Sequence, residues 1–575
     1  MLSRLTKTTF TQSFLFGTFT PPFLSSVCSR SLASNLDSVP TGYALLRNQF
    51  QNKDTAFSLE ERERFGLTGL LPTRVETIEQ QMSRCEGQWR QLTTDIDKFI
   101  YLYHLQQANE TLYFKFLLTH IEDTLPIVYT PTVGAACVQY SDIWRSWPKG
   151  MYLNASMAGS IRKILDNWYN EVDIIVVTDG TRILGLGDIG INGHGIPVGK
   201  LALYTVGAGF DPSRVLPITL DLGTTSDRAG HYFGAMDGHP DEETYRSFLD
   251  EFVAAVKDKW PSCVLQFEDF SKDHAFDLLD GYRYDYRAFN DDIQGTGCVA
   301  AAAFFNACRA TGTRPRDHTF VFLGAGAGGM GVAESLAQLL VAPDYTIEQA
   351  RRHFYLVDRD GLLQHPMDGR LGAHQAPFVK KLNGGAKYSL SELVHEVGAT
   401  AIFGLSATPG AITEDVIQGL CQNTEHPVVF ALSNPTSKCE ILAQQCSDYS
   451  HGKAVYASGS PMPDVDFEGR KIPLSQCNNM YVFPGIGHGA MLSGASVITD
   501  RMIAAAATTC AMSVPDEQVS NGMLLPNLRD IRDVSAKVAA AVMEMAYEEG
   551  IATAQRPAGD LVQFAKNSQW KPQYH

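Results

Sequence analysis

Three kinds of residue in this chain stand where chemistry can be done: isolated cations in a glycine-rich loop, carboxylates at strand ends, and amides in turns. The first group lies in 174–200, IIVVTDGTRILGLGDIGINGHGIPVGK. The apolar run from Ile174 to Val177 reads as a buried strand. Asp179, Arg182 and Asp188 follow it. Lys200 then stands in a loop that also holds Gly195, Pro197 and Gly199 and leads into an apolar helix. A buried strand, a glycine loop and two separated cations suit a small anionic substrate.

The carboxylates come next. Glu268 and Asp269 follow directly on the apolar run 263–267, at the strand end where α/β sites form. Asp292, after Asn290 and Asp291, belongs to the next unit. Hard oxygen donors with no nearby Cys/His pair favour Mg²⁺ or Mn²⁺ over zinc. On spacing alone, however, such acids are more often a solvated loop. Tyr129, beside Thr130 and Thr132, reads by itself as a packed core tyrosine. Asn434 in SNPT, and Asn478 with Asn479 before MYVFPG, can hydrogen-bond a carboxylate or a carboxamide. Single asparagines in loops are more often turn formers.

Two GxGxxG matches differ in context. Gly324, Gly326 and Gly329 follow an apolar strand and open a helix, as a pyrophosphate-binding turn requires. Asp358 closes the next strand and is placed to bind an adenosine ribose. Gly185, Gly187 and Gly190 lie in the opening stretch, with Asp188 and Lys200 close by and no strand-end acid before Asp221. That match reads as a substrate loop rather than a second nucleotide site.

The elements that must hold these residues follow from periodicity. Residues 41–125 are predicted helical, with apolar side chains recurring through Phe99, Tyr103, Leu112 and Phe116, and Pro126 closing the region. Residues 127–134 read as a short apolar run into a turn. From 150 onward, strands at 172–177, 215–220, 263–267, 319–323, 353–357 and 430–432 alternate with helices, which predicts parallel sheets. Segment 450–478 reads as irregular, 499–511 and 530–548 as helices, and the tail after Pro557 as a polar surface cover.

The formal charge of −16 argues against nucleic acid as a partner. No apolar run approaches the roughly 20 residues that span a bilayer. The 11 cysteines show no CxxC pairs, which favours reduced structural thiols. Residues 1–36 hold Arg4, Lys7 and Arg30, no acid, and 13 Ser/Thr. That composition predicts an organelle-targeting presequence, most simply a mitochondrial one.

Taken together, YTPTVG, VTDGTRILGLGDIG, GIPVGKL, FEDF, FNDDIQGT, FLGAGAGGMG, ALSNPT and NNMYVFPG stand in the order found in malic enzymes. The resemblance covers roughly 41–550. It implies oxidative decarboxylation of L-malate to pyruvate and CO₂, with NAD or NADP and Mg²⁺ or Mn²⁺. A malolactic-type or oxaloacetate-decarboxylating relative, or an inactive NAD(P)-binding regulator, is the alternative. By the same resemblance Lys200 is the general base and Tyr129 the general acid. Arg182, Asn434 and Asn479 hold substrate, and Asn478 lies near the nicotinamide. Glu268, Asp269 and Asp292 ligate the metal, with Asp291 beside them. A lysine base needs a lowered pKa, for which a neighbouring cation such as the metal or Arg182 is expected. Asp360 and Gln375 favour NAD, whereas Arg359 suits the phosphate of NADP. Arg84 matches one arginine of an activator pair, but Ala108 stands at the second, so fumarate activation is not expected.

The implied organisation is an α/β protein. A presequence (1–36) precedes a helical N-terminal domain (41–145). A substrate and metal domain (146–290, completed by 479–550) and a Rossmann-type dinucleotide domain (291–478) follow, then a tail (551–575). A mitochondrial-matrix location, a homodimer or homotetramer, and the absence of membrane partners complete the expectation.

Overall fold

The central strands are apolar on both faces, and this decides the architecture. The computed structural model describes residues 40–575 apart from 148, 227–230, 236–237, 365–370 and 383–385. The presequence expected over 1–36 lies outside these residues. The first sheet contains β1 (Met151–Asn154), β2 (Ile174–Thr178), β3 (Val215–Asp221), β4 (Val264–Phe267) and β5 (Ala288–Asn290). All its pairings are parallel, in the order β1-β3-β2-β4-β5. Along β2, Ile174 and Val176 join the core on one face, and Ile175 and Val177 join a separate core on the other. The period of two puts alternate side chains on opposite faces. Helix Gly195–Ala208 covers the first face and Glu242–Lys259 the second.

The second sheet holds β6 (Phe320–Leu323), β7 (Phe354–Asp358), β8 (Gly361–Leu362), β9 (Ala401–Gly404), β10 (Val428–Ala431) and β11 (Val455–Ser458). A hairpin of β12 (Val465–Phe467) and β13 (Arg470–Ile472) intervenes before β14 (Ser475–Gln476) adds the last strand. The order is β14-β11-β10-β9-β6-β7-β8, parallel except for the β7–β8 edge. Rings stacked along one face, Phe320 on Phe354 at 4.5 Å and Phe322 on Phe403 at 4.9 Å, lock adjacent strands in register. The helical N-terminal region and the two sheets are the α/β class expected. Among the described residues no helix is long and apolar enough to cross a membrane.

Three local expectations need correction. Pro126 does not end the helical region. It lies inside helix Ile121–Val128, where the bond it forgoes would go to the carbonyl of Glu122, an exposed residue. The run 127–134 is the end of that helix, a bend at Tyr129, and the start of helix Thr132–Val138. Segment 450–478 is not irregular. Its strands have only two to four residues, too few for an alternation to show.

The tail also does more than cover a surface. Helix Leu561–Ser568 buries Leu561 and Ala565 against helix Ile531–Glu548. Trp570 then meets Phe114 edge-on at 5.7 Å and donates its backbone N–H to the Gly209 carbonyl at 2.7 Å. The Tyr574 hydroxyl accepts from Asn109, the cap of helix Glu110–Thr119, and donates to Gln81. The last residues thus staple the N-terminal helices to the core. Trp570→Ala is expected to destabilise the protein by about 2 kcal/mol through lost apolar burial. A urea midpoint unchanged from the parent would show the staple to be dispensable.

Candidate active site

Both sheets aim the carboxyl ends of their parallel strands at one cleft of about 270 Å³. In open parallel sheets, sites form where neighbouring connections leave in opposite directions. In the first sheet this happens between β2, which leads to β3 on one side, and β4 on the other. The loop after β2 carries Arg182, and the end of β4 carries Glu268 and Asp269. The two loops meet, with the Arg182 N–H donating to the Asp269 carbonyl at 3.2 Å. In the second sheet the same divergence separates β6, which leads to β7, from β9. There the glycine turn after β6 faces Leu405 after β9. Gly324 has φ 115°, and a Cβ on it would lie 2.5 Å from the Leu405 carbonyl oxygen. A Cβ on Gly329 would lie 2.1 Å from the Gly324 carbonyl oxygen, so both turn positions require glycine. Helix Ala327–Leu340 then begins at the cleft, with Gly328 and Gly329 in its wall. Its unbonded N-terminal amides suit a pyrophosphate.

Tyr129, Arg182, Lys200, Glu268, Asp269, Asp292, Gly326, Gly329, Asn434, Asn478 and Asn479 all line this cleft. Gly324 lies in the turn beneath it. Asp358 sits further out at the end of β7, where it accepts from Gln375 Nε2 at 3.2 Å and lies 3.9 Å from Lys272 Nζ. From the second GxGxxG match, Gly185 contributes to the same wall, and Gly190 opens a short 3-10 turn, Gly190–His194, that runs into helix Gly195–Ala208.

At the cleft floor Lys200 is only 2% exposed. Its ammonium donates to Asp291 Oδ2 and lies 3.0 Å from Glu268 Oε1, over the Phe483 ring at 4.3 Å. The Tyr129 hydroxyl donates to the same Glu268 oxygen at 3.1 Å. The other Glu268 oxygen accepts from Gln266 Nε2 at 2.7 Å, and Gln266 in turn accepts from Tyr204. Asn479 donates to Asp291 Oδ2 at 3.0 Å and to Thr296 at 3.0 Å, so its amide orients the carboxylate that holds the lysine. The Asn434 side-chain oxygen accepts from Ser460 at 2.6 Å, and that of Asn478 from the Met480 N–H at 3.1 Å. The Arg182 guanidinium is exposed and makes no side-chain hydrogen bond or ion pair with the described residues.

The electrostatics correct one expectation. Burial pushes the Lys200 ammonium toward neutrality, but Asp291 and Glu268 outweigh it and hold its pKa well above the ordinary lysine value. Its immediate side-chain partners are carboxylates, and Arg182 is not among them. Burial pushes the Tyr129 phenol well above its ordinary value, against the opposing charge of Lys200, so it keeps its proton. Burial likewise raises Glu268, Asp269 and Asp292, reinforced by their mutual repulsion.

Whether these acids suit a metal can be judged from their free oxygens. Asp269 Oδ2 and Asp291 Oδ1 are buried without a hydrogen-bond partner. An all-oxygen, excess-negative donor set of this kind fits a hard divalent cation. Among the described residues no three His, Cys, Asp or Glu side chains converge as a ready ligand shell. Glu268 is turned to Lys200 and Tyr129, while Asp292 Oδ2 accepts the Asp269 N–H at 2.7 Å. The side chains are in the lysine-paired arrangement.

Glu440 is a residue that sequence reasoning missed. It is fully buried, and its Oε1 accepts from the Ser406 and Ala407 N–H groups at 2.8 and 3.1 Å and from the Ser433 hydroxyl at 2.6 Å. One carboxylate thus ties the loop after β9 to the loop after β10, and both line the cleft. The only signal was an acid preceding the apolar ILA of SNPTSKCEILA.

Comparison with known proteins gives concordant matches. A model described as "Malic enzyme, N-terminal domain" matches residues 106–283, and "Malic enzyme, NAD binding domain" matches 293–547. The chain is 43% identical over 534 residues to an NADP-dependent malic enzyme of Dictyostelium discoideum, covering 92% of this chain and 98% of that one. It is 43% identical over 545 residues to an NAD-dependent malic enzyme of Psychrobacter arcticus, covering 93% and 97%. The crystal structure of malic enzyme from Pyrococcus horikoshii aligns with TM-score 0.54 at 25% identity, covering 78% of this chain and 89% of that one. That of Entamoeba histolytica malic enzyme shares the fold at TM-score 0.57 and 21% identity, covering 88% and 90%.

Glu440→Leu removes the acceptor for the Ser406 and Ala407 N–H groups and the Ser406 and Ser433 hydroxyls and is expected to cost about 2 kcal/mol. Urea denaturation reads this as a lowered midpoint, and an unshifted midpoint would mean that the two loops are held by other contacts.

Proposed function

The chain belongs to the malic enzyme family, and we propose that it oxidatively decarboxylates L-malate to pyruvate and CO₂, with NAD or NADP and Mg²⁺ or Mn²⁺. The observation that supports this most is the meeting of Lys200, Tyr129, four carboxylates and an unpaired arginine beside a dinucleotide-type glycine turn.

Each residue has a task that its surroundings suit. The free Arg182 guanidinium takes a malate carboxylate in a charge-assisted pair. Asn434 and Asn479 position the same substrate, and Asn478 lies toward the nicotinamide. Lys200 accepts the C2 hydroxyl proton as hydride leaves C2. Loss of the C4 carboxylate as CO₂ leaves an enolate, and Tyr129, kept protonated by burial, gives its proton to C3. When bound, the dinucleotide supplies the hydride acceptor, and a divalent cation on Glu268, Asp269 and Asp292 supplies a Lewis acid for the substrate oxygen. These proposed ligands include a carboxylate that now holds the Lys200 ammonium. Cation binding and the basicity of Lys200 are therefore linked.

Asp360 opposes a 2′-phosphate and Gln375 offers it no charge, which favours NAD, whereas Asp358 does not decide. Arg359 and the nearby Lys272 are the groups that would serve NADP. Assembly as a dimer or tetramer belongs to the same reading. So does a mitochondrial-matrix location, which rests on the acid-free, Ser/Thr-rich leader.

The direct experiment follows reduced nicotinamide with L-malate and Mn²⁺, NAD against NADP. Turnover that yields no net reduced cofactor would replace oxidative decarboxylation by a malolactic-type reaction. Lys200→Ala is expected to lower turnover by about 10²- to 10⁴-fold, with dinucleotide affinity nearly unchanged in a fluorescence titration. Turnover that survives this change would remove Lys200 as the base. Residues 1–36 fused to a fluorescent protein are expected to direct it to mitochondria in a eukaryotic host. A diffuse cytosolic signal would rule out the mitochondrial reading.

A further inference from the structure

A second cavity, of about 320 Å³, lies behind the cleft. It is bounded by helix Lys272–Tyr282 on one side and by helices Thr296–Thr311, Ala327–Leu340 and Asp500–Met512 on the others. The two spaces share walls. In the π-helical turn Asp291–Gly295, Asp292 lines the cleft, whereas Ile293 and Gln294 line the cavity. Along helix Ala327–Leu340, Gly328 and Gly329 face the cleft, and Met330 and Ser335 the cavity.

The chemistry of this cavity is specific. Its arginines are already paired, Arg283 with Asp500 and Arg351 with Glu334 at 2.8 Å, and the His374 ring lies 3.3 Å from Asp280. Two donors are unpaired. Gln294 is 6% exposed, its Oε1 accepts the Asn290 N–H at 3.1 Å, and its Nε2 is buried without a partner. Arg283 Nε is buried without a partner as well. One wall is flat and aromatic, because the Phe276 and His374 rings stack at 4.0 Å and 22°. Unpaired buried donors favour an occupant that brings an acceptor. Paired charges give no reason for it to be an ion, and the stacked wall favours a flat ring.

We propose that this cavity binds a small, uncharged aromatic molecule carrying a carbonyl acceptor, of the aromatic amide or ketone class, and that its occupant modulates the neighbouring cleft. The coupling is mechanical. A Cβ on Gly331 would lie 2.2 Å from the Ile293 carbonyl oxygen, and its next neighbours are also Ile293 backbone atoms. Helix Ala327–Leu340 and the turn thus touch backbone to backbone at this point, with no side chain between them to absorb a shift. A displacement of Ile293 and Gln294 is passed directly to Asp291 and Asp292.

The test uses 4-fluoroacetanilide, followed by fluorine NMR on the full-length protein with Mg²⁺, before and after addition of saturating dinucleotide. Line broadening is expected at about 1 mM probe, and it should persist when the dinucleotide is added. Ala504→Phe, which fills the cavity from its far helix, should abolish the broadening. Gln294→Met, similar in volume but lacking the donor, should weaken binding severalfold. In malate oxidation the probe should change kcat of the parent without competing with dinucleotide, and should leave Ala504→Phe unaffected. Displacement by dinucleotide, equal broadening in Ala504→Phe, or no broadening at about 5 mM would overturn the proposal. If Ala504→Phe does not fold, Gln294→Met decides, and unchanged binding there refutes the assigned donor.

Discussion

The ammonium of Lys200, buried between Asp291 and Glu268, is the interaction on which the rest of the site depends. Removing one such ion from water costs several kcal/mol unless its partners are fixed in good geometry. Here the partners come from the ends of two adjacent strands, β4 and β5, and the lysine from helix Gly195–Ala208, which packs on the neighbouring strands β2 and β3. The Phe483 ring beneath the ammonium, the Gln266 amide on Glu268 and the Asn479 amide on Asp291 fix that geometry further. Much of the surrounding polar network serves to hold three charges in place.

This arrangement sets the lysine's resting state. Two carboxylates keep it protonated, although the proposed chemistry needs it neutral. The same acids are the hard-oxygen donors a divalent cation would take. In the proposed chemistry a basic lysine and a loaded metal site would then be one condition rather than two.

The second lobe meets this centre through backbone rather than charge. Glycines 324 and 329 allow the turn after β6 to close, and Glu440 gathers the loops after β9 and β10. Helix Ala327–Leu340 lies directly on the turn that bears Asp291 and Asp292. The lobes therefore share walls, and a second cavity arises where those walls diverge.

The sequence by itself determined what rests on near neighbours. The apolar runs of β2, β3 and β4, the glycine turn after β6 and the acids at strand ends were readable because strand burial and turn geometry act over a few residues. The order of the motifs gave the family. Other features stayed hidden because their signal was weak or non-local. Pro126 sits in a helix because tertiary packing overrides propensity, and strands of two to four residues leave no readable period. The pairing of Lys200 with Asp291 spans 91 residues, that of Tyr129 with Glu268 spans 139, and that of Tyr574 with Asn109 spans 465. Only the tertiary structure decided these contacts. With them it decided the charge state of the lysine, the gathering role of Glu440 and the staple formed by the tail. Electrostatics and packing depend on distance in space, and separation along the chain does not report it.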